Sequence, residues 1–168
     1  MDRLEAVKKA SRLIRKIGKI FQIVFGIFTG ILLISIIILS VLRNTLNGMT
    51  AVQTSINFDN MGYWAEKLAG EGKITDAFIV FGISGLLFSL MITIMMHFVV
   101  KIFANFCNEN SPFLPETVKD LKIIFVLVAL LVLRNSIGLG IISGFIFWGI
   151  IQLYEYGCEL QNQADETL

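Results

Sequence analysis

The sequence predicts an all-α integral membrane protein: a four-helix bundle preceded by an amphipathic helix that lies at the membrane interface. Two observations predict this class. Of the 168 residues, 55% are hydrophobic and only 16% are charged, with a mean hydropathy of +0.76, whereas soluble domains typically carry about 25% charged residues. Apolar stretches without ionisable side chains also recur along the chain at lengths that suit membrane helices.

Residues 3–18 are predicted to form an amphipathic helix on the inner leaflet before the chain turns into the membrane. Apolar or small side chains recur there at helical spacing, with cations between them: Leu4, Val7, Ser11, Ile14, Ile17 and Phe21. Seven cations precede the first crossing, and the long apolar run after them lacks the short core and cleavage site of a secretory signal. The positive-inside rule then places the N-terminus in the cytoplasm.

The first crossing is predicted over residues 20–42, where no side chain ionises and a helix reaches about 34 Å. The polar segment 43–76 follows as an outer loop, since it carries no excess of cations. Within this loop a short surface helix is predicted from Met61 to Leu68, with Tyr63 and Trp64 at the lipid interface.

The second crossing is predicted over residues 77–100, with an amphipathic extension that continues the helix through Phe106. An inner turn at residues 105–115 follows. It contains two prolines among residues that cap or break helices, so the chain is expected to reverse there on the cytoplasmic side.

The third crossing is predicted over residues 116–133 and contains the shortest uncharged run of the four. Its uncharged run, residues 123–133, spans only about 16 Å as a helix. It crosses only if Lys119 and Lys122 extend along the helix towards the headgroups. The alternative is a re-entrant hairpin.

The fourth crossing is predicted over residues 137–154, after an outer turn at residues 134–136, and residues 155–168 form a cytoplasmic tail. Ten of the fourteen lysines and arginines then lie on inner segments, which the positive-inside rule favours. Cys107 and Cys158 fall on the reducing side, where two separate thiols are expected rather than a disulfide.

The predicted crossings offer little chemistry. None contains Asp, Glu, Lys or Arg at mid-depth, which argues against an ion-coupled transporter or proton pump. His97 is the only histidine, and no Cys, His, Asp or Glu cluster accompanies it in the sequence. We find no phosphate-binding glycine loop and no nucleophile elbow. The sequence therefore predicts no enzyme, no cofactor and no metal, and its basic segment lacks a motif for direct nucleic-acid binding.

Small residues at four-residue spacing predict helix packing, because helices in lipid associate where their backbones approach closely. The residues expected at such contacts are Gly26 and Gly30 in the first crossing and Ser136, Gly140 and Gly144 in the fourth, with Gly82, Gly85 and Ser89 as a looser stripe in the second. Packing within one bundle is the favoured interpretation, and a homodimer interface is the alternative.

Glu155 and Glu159 lie one turn apart at the inner end of the fourth helix. Lys101, Lys119 and Lys122 are predicted at the same depth, so a structural collar of ion pairs is the simpler interpretation. The alternative is a patch that docks a basic surface of a soluble partner.

Two motifs in residues 105–168 resemble the YoaS-like family of small bacterial integral membrane proteins, whose function is unknown. The segment Ser111-Pro112-Phe113 followed by residues 116–122 is similar to the family's SPF…ENVKRL(R/K) pattern, and residues 156–168 are similar to its YGAELQEE.DLTV ending. Four departures stand out: Thr117 for Asn, Asp120 for a base, Cys158 for Ala, and Asn162-Gln163 for an acidic pair. The resemblance implies four membrane helices, no catalytic residues and frequent proximity to a gene for a small helix-turn-helix regulator.

These observations predict a non-enzymatic regulatory or accessory protein of the bacterial inner membrane, with several crossings and both termini in the cytoplasm. Its inner face would bind a soluble protein, with a small transcription regulator as one candidate, through a platform formed by Ser111, Pro112, Phe113, Glu116, Lys119, Lys122, Glu155, Gly157, Glu159 and Gln161. The alternatives are an oligomeric channel or transporter subunit, and a protein of envelope stress or bacteriocin immunity. Lipid, a cytoplasmic protein and further copies of the chain are the expected partners.

Overall fold

The computed structural model describes residues 3–47, 61–108 and 113–166, and these residues form only helices. In chain order the helices are α1 (Arg3–Asn47), α2 (Tyr63–Gly70), α3 (Ile74–Asn108), α4 (Pro115–Asn135) and α5 (Ile137–Glu166). The predicted all-α class is confirmed. Part of the predicted outer loop, residues 48–60, lies outside the described residues, as do residues 109–112 of the inner turn.

Three of the helices are long and apolar enough to cross a membrane: Glu5–Leu46 within α1, Ile74–Cys107 within α3 and Ile137–Ala164 within α5. Helix α4 is not among them, because charged residues at positions 119, 120, 122 and 134 leave only residues 123–133 uncharged. A multi-pass membrane protein is therefore supported, while a fourth crossing stays a prediction.

Two boundaries differ from the sequence predictions. The expected turn between an interfacial helix at 3–18 and a crossing at 20–42 is wrong, because α1 is one uninterrupted helix. No proline occurs in this stretch to break it. The predicted tail at 155–168 is also helical as far as Glu166, since its Glu, Gln, Leu and Ala residues favour helix.

Burial among the described residues is inverted relative to a soluble protein. Large apolar side chains point outward along the long helices, with Ile20 61%, Ile31 55% and Phe145 69% exposed. Several polar side chains are instead enclosed: Ser11, Thr75, Asp76, Ser89, Thr117 and Asp120. Outward apolar side chains suit contact with lipid, and polar side chains enclosed between helices suit helix association in lipid, so this distribution is typical of a membrane protein.

The chain divides into two compact units. The central unit is Val24–Leu90 and the terminal unit combines Met1–Ile23 with Met91–Leu168. In the central unit α1 and α3 pack antiparallel. A Cβ atom added to Gly82 would lie 3.1 Å from Ile36, and one added to Gly85 would lie 3.7 Å from Leu32. The small residues of α3 therefore face α1.

A polar contact and an ion pair complete this interface of the central unit. The Thr29 and Ser89 hydroxyls lie 2.6 Å apart, and the Phe25 carbonyl oxygen is within hydrogen-bond distance of both, at 2.7 and 3.2 Å. Since each hydroxyl has one proton, one of them donates to the other, which in turn donates to the carbonyl. Near the end of α1, the Arg43 guanidinium meets both carboxylate oxygens of Asp76, Nε at 2.6 Å and Nη2 at 2.9 Å. This bidentate ion pair fixes the register of α1 against α3.

Helix α2 begins two residues later than predicted and ends at Gly70. Gly62 precedes it with φ +94°, a conformation that glycine adopts readily. The rings of Tyr63 and Trp64 are exposed, as an interfacial location requires. Their location at a lipid interface stays a prediction. In the following turn Lys73 donates to Glu71 at 2.8 Å, and this hydrogen bond lowers the pKa of Glu71 and raises that of Lys73.

In the terminal unit α4 and α5 form an antiparallel hairpin around Ser136. The Ser136 N–H donates to the Val132 carbonyl, and its hydroxyl accepts from the Leu139 N–H at 3.4 Å. Gly140 permits the close approach of the two helices, because a Cβ there would lie 2.7 Å from the Leu133 Cα. The hairpin therefore reverses at the residue where the sequence placed a turn.

The other predicted packing glycines do not contact a neighbouring helix in the described structure. Cβ atoms added at Gly26, Gly30 or Gly144 meet nothing within 4 Å. On α1 the contact face passes through Phe25 and Thr29, and each glycine lies one residue, or about 100°, away from that face. Their role in association between copies stays a prediction.

Candidate functional site

The open end of the α4–α5 hairpin brings the two sequence motifs together. The Phe113 and Tyr154 rings lie 5.2 Å apart between centroids, tilted by 50°. Gly157 lies directly beneath the same phenylalanine, because an added Cβ would be only 2.6 and 2.7 Å from two Phe113 ring carbons. The Ser111 and Pro112 positions of the predicted platform lie outside the described residues.

One ion pair links the two helices at this end. Lys122 Nζ lies 2.6 Å from Glu155 Oε1, and the Gln152 side chain donates to the other carboxylate oxygen at 3.3 Å. Both charged side chains remain partly exposed, at 49% and 38%. Exposed pairs of this kind stabilise by about 0–1 kcal/mol, so the contact orients Glu155 more than it stabilises the fold.

An open groove of about 440 Å³ lies beside this ion pair. Its lining comes from both helices: Pro115, Glu116, Val118, Lys119, Lys122, Glu155 and Cys158. Val118 and Cys158 are buried, while Glu116 and Lys119 are exposed. The groove therefore has an apolar base and a rim that carries both signs of charge. We call it the hairpin groove.

Four predicted platform residues line the hairpin groove, namely Glu116, Lys119, Lys122 and Glu155, and the four other described ones do not. Phe113 and Gly157 contact each other at the end of the hairpin. Glu159 is exposed one turn further along α5, and Gln161 is half-buried beyond it. Of the predicted collar of ion pairs, the structure contains the contact between Lys122 and Glu155. Glu159 forms no ion pair with another described residue.

Lys101 pairs with Asp120 rather than with the glutamates near which the sequence analysis placed it. Its Nζ donates to Asp120 Oδ1 at 3.1 Å and lies 3.0 Å from Oδ2. The Asp120 carboxylate is 5% exposed, whereas the Lys101 side chain is 46% exposed. The two residues tie α3 to α4 within the terminal unit. The sequence did contain a signal for this contact. Thr117 and Asp120 lie three residues apart, so they share one face of α4, and this polar face is the one that is buried.

No protein-family model, curated protein or solved structure matches this chain. The resemblance to the YoaS-like family therefore stays a prediction. What the hairpin groove can do follows from its own side chains.

Cys158, like Pro115 and Val118, lines the groove although the predicted platform did not include it. It is 7% exposed, and its thiol is free, as is that of Cys107. A small, weakly polar side chain fills the base of the groove without displacing Val118 or Glu155.

The isolated histidine lies in the terminal unit, away from any described set of metal ligands. His97 Nδ1 is 3.5 Å from the Gln22 amide nitrogen, and its ring meets Phe98 edge-on at 5.6 Å. Among the described residues no group of three or more His, Cys, Asp or Glu side chains is placed to hold a metal ion.

Proposed function

We propose that this protein is a non-enzymatic, multi-pass membrane protein that binds a soluble protein at the hairpin groove. The observation that carries this proposal is the convergence of Glu116, Lys119 and Glu155, from two helices, around an open cavity of about 440 Å³. Elsewhere along α4 and α5 the outward side chains are mostly large and apolar, as lipid requires. The groove is thus the part of the hairpin suited to an aqueous partner.

The composition of the groove supports a protein partner over a small ligand. Protein interfaces combine an apolar centre with a polar rim, and here Val118 and Cys158 form the centre. On the rim, Glu116 and Lys119 form no ion pair with another described residue, so both are available to a partner. Because the rim carries both signs of charge, the partner's surface is expected to carry both signs as well.

The side of the membrane is part of the proposal. If α4 crosses, the hairpin groove and the cationic start of α1 face the same compartment, and the positive-inside rule makes that compartment the cytoplasm. A small cytoplasmic transcription regulator is the first partner to test, because the sequence resemblance implies such a neighbour. Holding that regulator at the membrane would make the protein a regulatory or accessory component.

Site-specific cross-linking tests the proposal. A photoreactive amino acid is placed at Lys119 on the groove rim and, as a matched control, at Val126, which is 59% exposed on the same helix. The full chain in native-like lipid discs is mixed with the purified product of the adjacent gene. We expect cross-linking from position 119 and none from position 126.

Charge reversal provides the second arm. The substitution Lys119→Glu removes a cation that pairs with no described residue, so the fold is expected to persist while cross-linking from a probe at Glu116 falls at least about tenfold. Equal cross-linking from positions 119 and 126, or no effect of the reversal, would overturn docking at this groove.

A further inference from the structure

The N-terminal part of α1 has an outward surface that the docking proposal does not use. Residues Ser11 and Gly18 face the terminal unit: Ser11 is 2% exposed, and a Cβ at Gly18 would lie 2.9 Å from Val100. The cations and the large apolar residues of this segment are consequently directed elsewhere. Leu13 is 60% exposed and Ile17 is 46% exposed.

On this outward side, cations and apolar residues occupy adjacent strips. Lys9, Arg12 and Lys16 recur at spacings of three and four residues and line one edge of a shallow open depression of about 720 Å³. The floor consists of Ala6, Ala10 and Leu13. We call these the cationic edge and the apolar floor. Side chains at such spacings are neighbours on a helix, so the three cations follow about 10 Å of its length.

The cationic edge is available for an external anion. None of its three residues forms an ion pair with another described residue. The Arg12 Nε donates to the Lys8 carbonyl oxygen at 3.4 Å, a long bond that leaves the remaining guanidinium donors directed outward. Anions are therefore attracted to this edge by several converging charges.

We propose that the cationic edge and the apolar floor bind an anionic phospholipid. Its phosphate would accept hydrogen bonds from Lys9, Arg12 and Lys16, and its acyl chains would lie along Leu13 and Ile17. Continuity with the membrane span favours a lipid as the occupant. The same helix runs without a break from these cations into the long apolar stretch, so the phosphate depth of a leaflet coincides with the cationic edge.

Lipid selectivity of the purified full chain tests this proposal. The protein in detergent is titrated with a short-chain phosphatidylglycerol, a short-chain phosphatidylcholine and glycerol 3-phosphate, and bound molecules are counted by native mass spectrometry. We expect tighter binding of phosphatidylglycerol than of phosphatidylcholine, and no competition by glycerol 3-phosphate, since this molecule lacks the chains that contact the floor.

Variants assign the selectivity to the edge. The pair Lys9→Gln/Lys16→Gln is expected to reduce the preference for phosphatidylglycerol about 30-fold, at roughly fivefold for each lysine near an anionic surface. The pair Lys67→Gln/Lys73→Gln removes the same charge from the α2 region and should leave the preference unchanged. Lys9→Arg/Lys16→Arg should retain it.

Three results would overturn the proposal: equal binding of the two lipids by the wild-type chain, an equal loss in the α2 control, or full competition by glycerol 3-phosphate, which would indicate a site for soluble phosphate. The comparison of phosphatidylglycerol with phosphatidylcholine binding by the wild-type chain tests the proposal even if the glutamine variant does not fold. Because none of these variants changes a residue of the hairpin groove, failure here leaves the docking proposal standing.

Discussion

Gly157 shows how one missing side chain shapes the end of the α4–α5 hairpin. The Phe113 ring occupies the space in which a β-carbon would otherwise lie, and the ring also contacts Tyr154. The sequence motifs marked both Phe113 and Gly157, yet spacing alone could not show that one covers the other. Their contact arises from the antiparallel return of α5, which is a tertiary feature.

The substitution Gly157→Ala is therefore expected to destabilise this end of the hairpin. An added methyl group 2.6 Å from the Phe113 ring forces the ring or the backbone to shift, at a typical cost of about 1–3 kcal/mol. The measurement is the midpoint of thermal unfolding in one detergent. Gly149→Ala on the same helix is the control, since nothing lies within 4 Å of its Cβ position, and there alanine should be neutral or stabilising. A similar midpoint for both variants would contradict the contact.

The ion pairs Lys101–Asp120 and Lys122–Glu155 of the terminal unit differ in burial, and this difference predicts different energies. Asp120 is 5% exposed, whereas Glu155 is 38% exposed. Lys101→Met leaves a buried carboxylate without its cation and is expected to cost about 3 kcal/mol or more. Lys122→Met leaves an exposed carboxylate and should cost less than about 1 kcal/mol. Urea or heat unfolding of both variants in the same detergent tests the ranking, which equal losses would refute.

At the scale of the helices, local signals in the sequence predicted some helix ends but not the contact faces. Pro115 marked the start of α4 and Ser136 the turn before α5, because a proline and a capping hydroxyl act locally. The face of α1 that meets α3 in the central unit passes through Phe25 and Thr29 rather than Gly26. In an all-apolar stretch every face looks alike in sequence, so only the partner helix decides which one packs.

The hydroxyl contact between α1 and α3 gives a prediction at this scale. Thr29 and Ser89 are 2.6 Å apart in an otherwise apolar interface, and such bonds between membrane helices are worth about 0.6 kcal/mol on average. A double-mutant cycle with Thr29→Val and Ser89→Ala should give a coupling of about that size in unfolding free energy. The matched cycle of Ser35→Ala with Ser89→Ala should give none, because Ser35 donates within its own helix to Ile31. Additive losses at positions 29 and 89 would contradict a direct bond.

At the scale of the whole molecule, the charge pattern and the helix lengths give the same class but leave the number of crossings open. Three helices satisfy a membrane span by length and composition. Helix α4 differs from these three because it combines a short apolar run with charges near both ends. Two of its charged residues form ion pairs inside the terminal unit, Asp120 with Lys101 and Lys122 with Glu155. Pairing lowers the cost of holding charges near the headgroups, which favours a fourth crossing.

Cysteine labelling decides between four crossings and a re-entrant hairpin. With Cys107 and Cys158 replaced by serine and alanine, single cysteines are introduced at Glu5, Leu114, Ser136 and Glu166 and exposed in intact cells to a thiol reagent that does not cross membranes. If α4 crosses, only position 136 reacts from outside, because α4 and α5 each carry the chain across once. An unreactive position 136 would indicate the re-entrant hairpin, because α4 would then return the chain to the inner face. Reaction at Leu114 or Glu166 together with Ser136 would leave α4 or α5 without a crossing. In that last case the assignment of the hairpin groove and the cationic edge of α1 to the same compartment would fail.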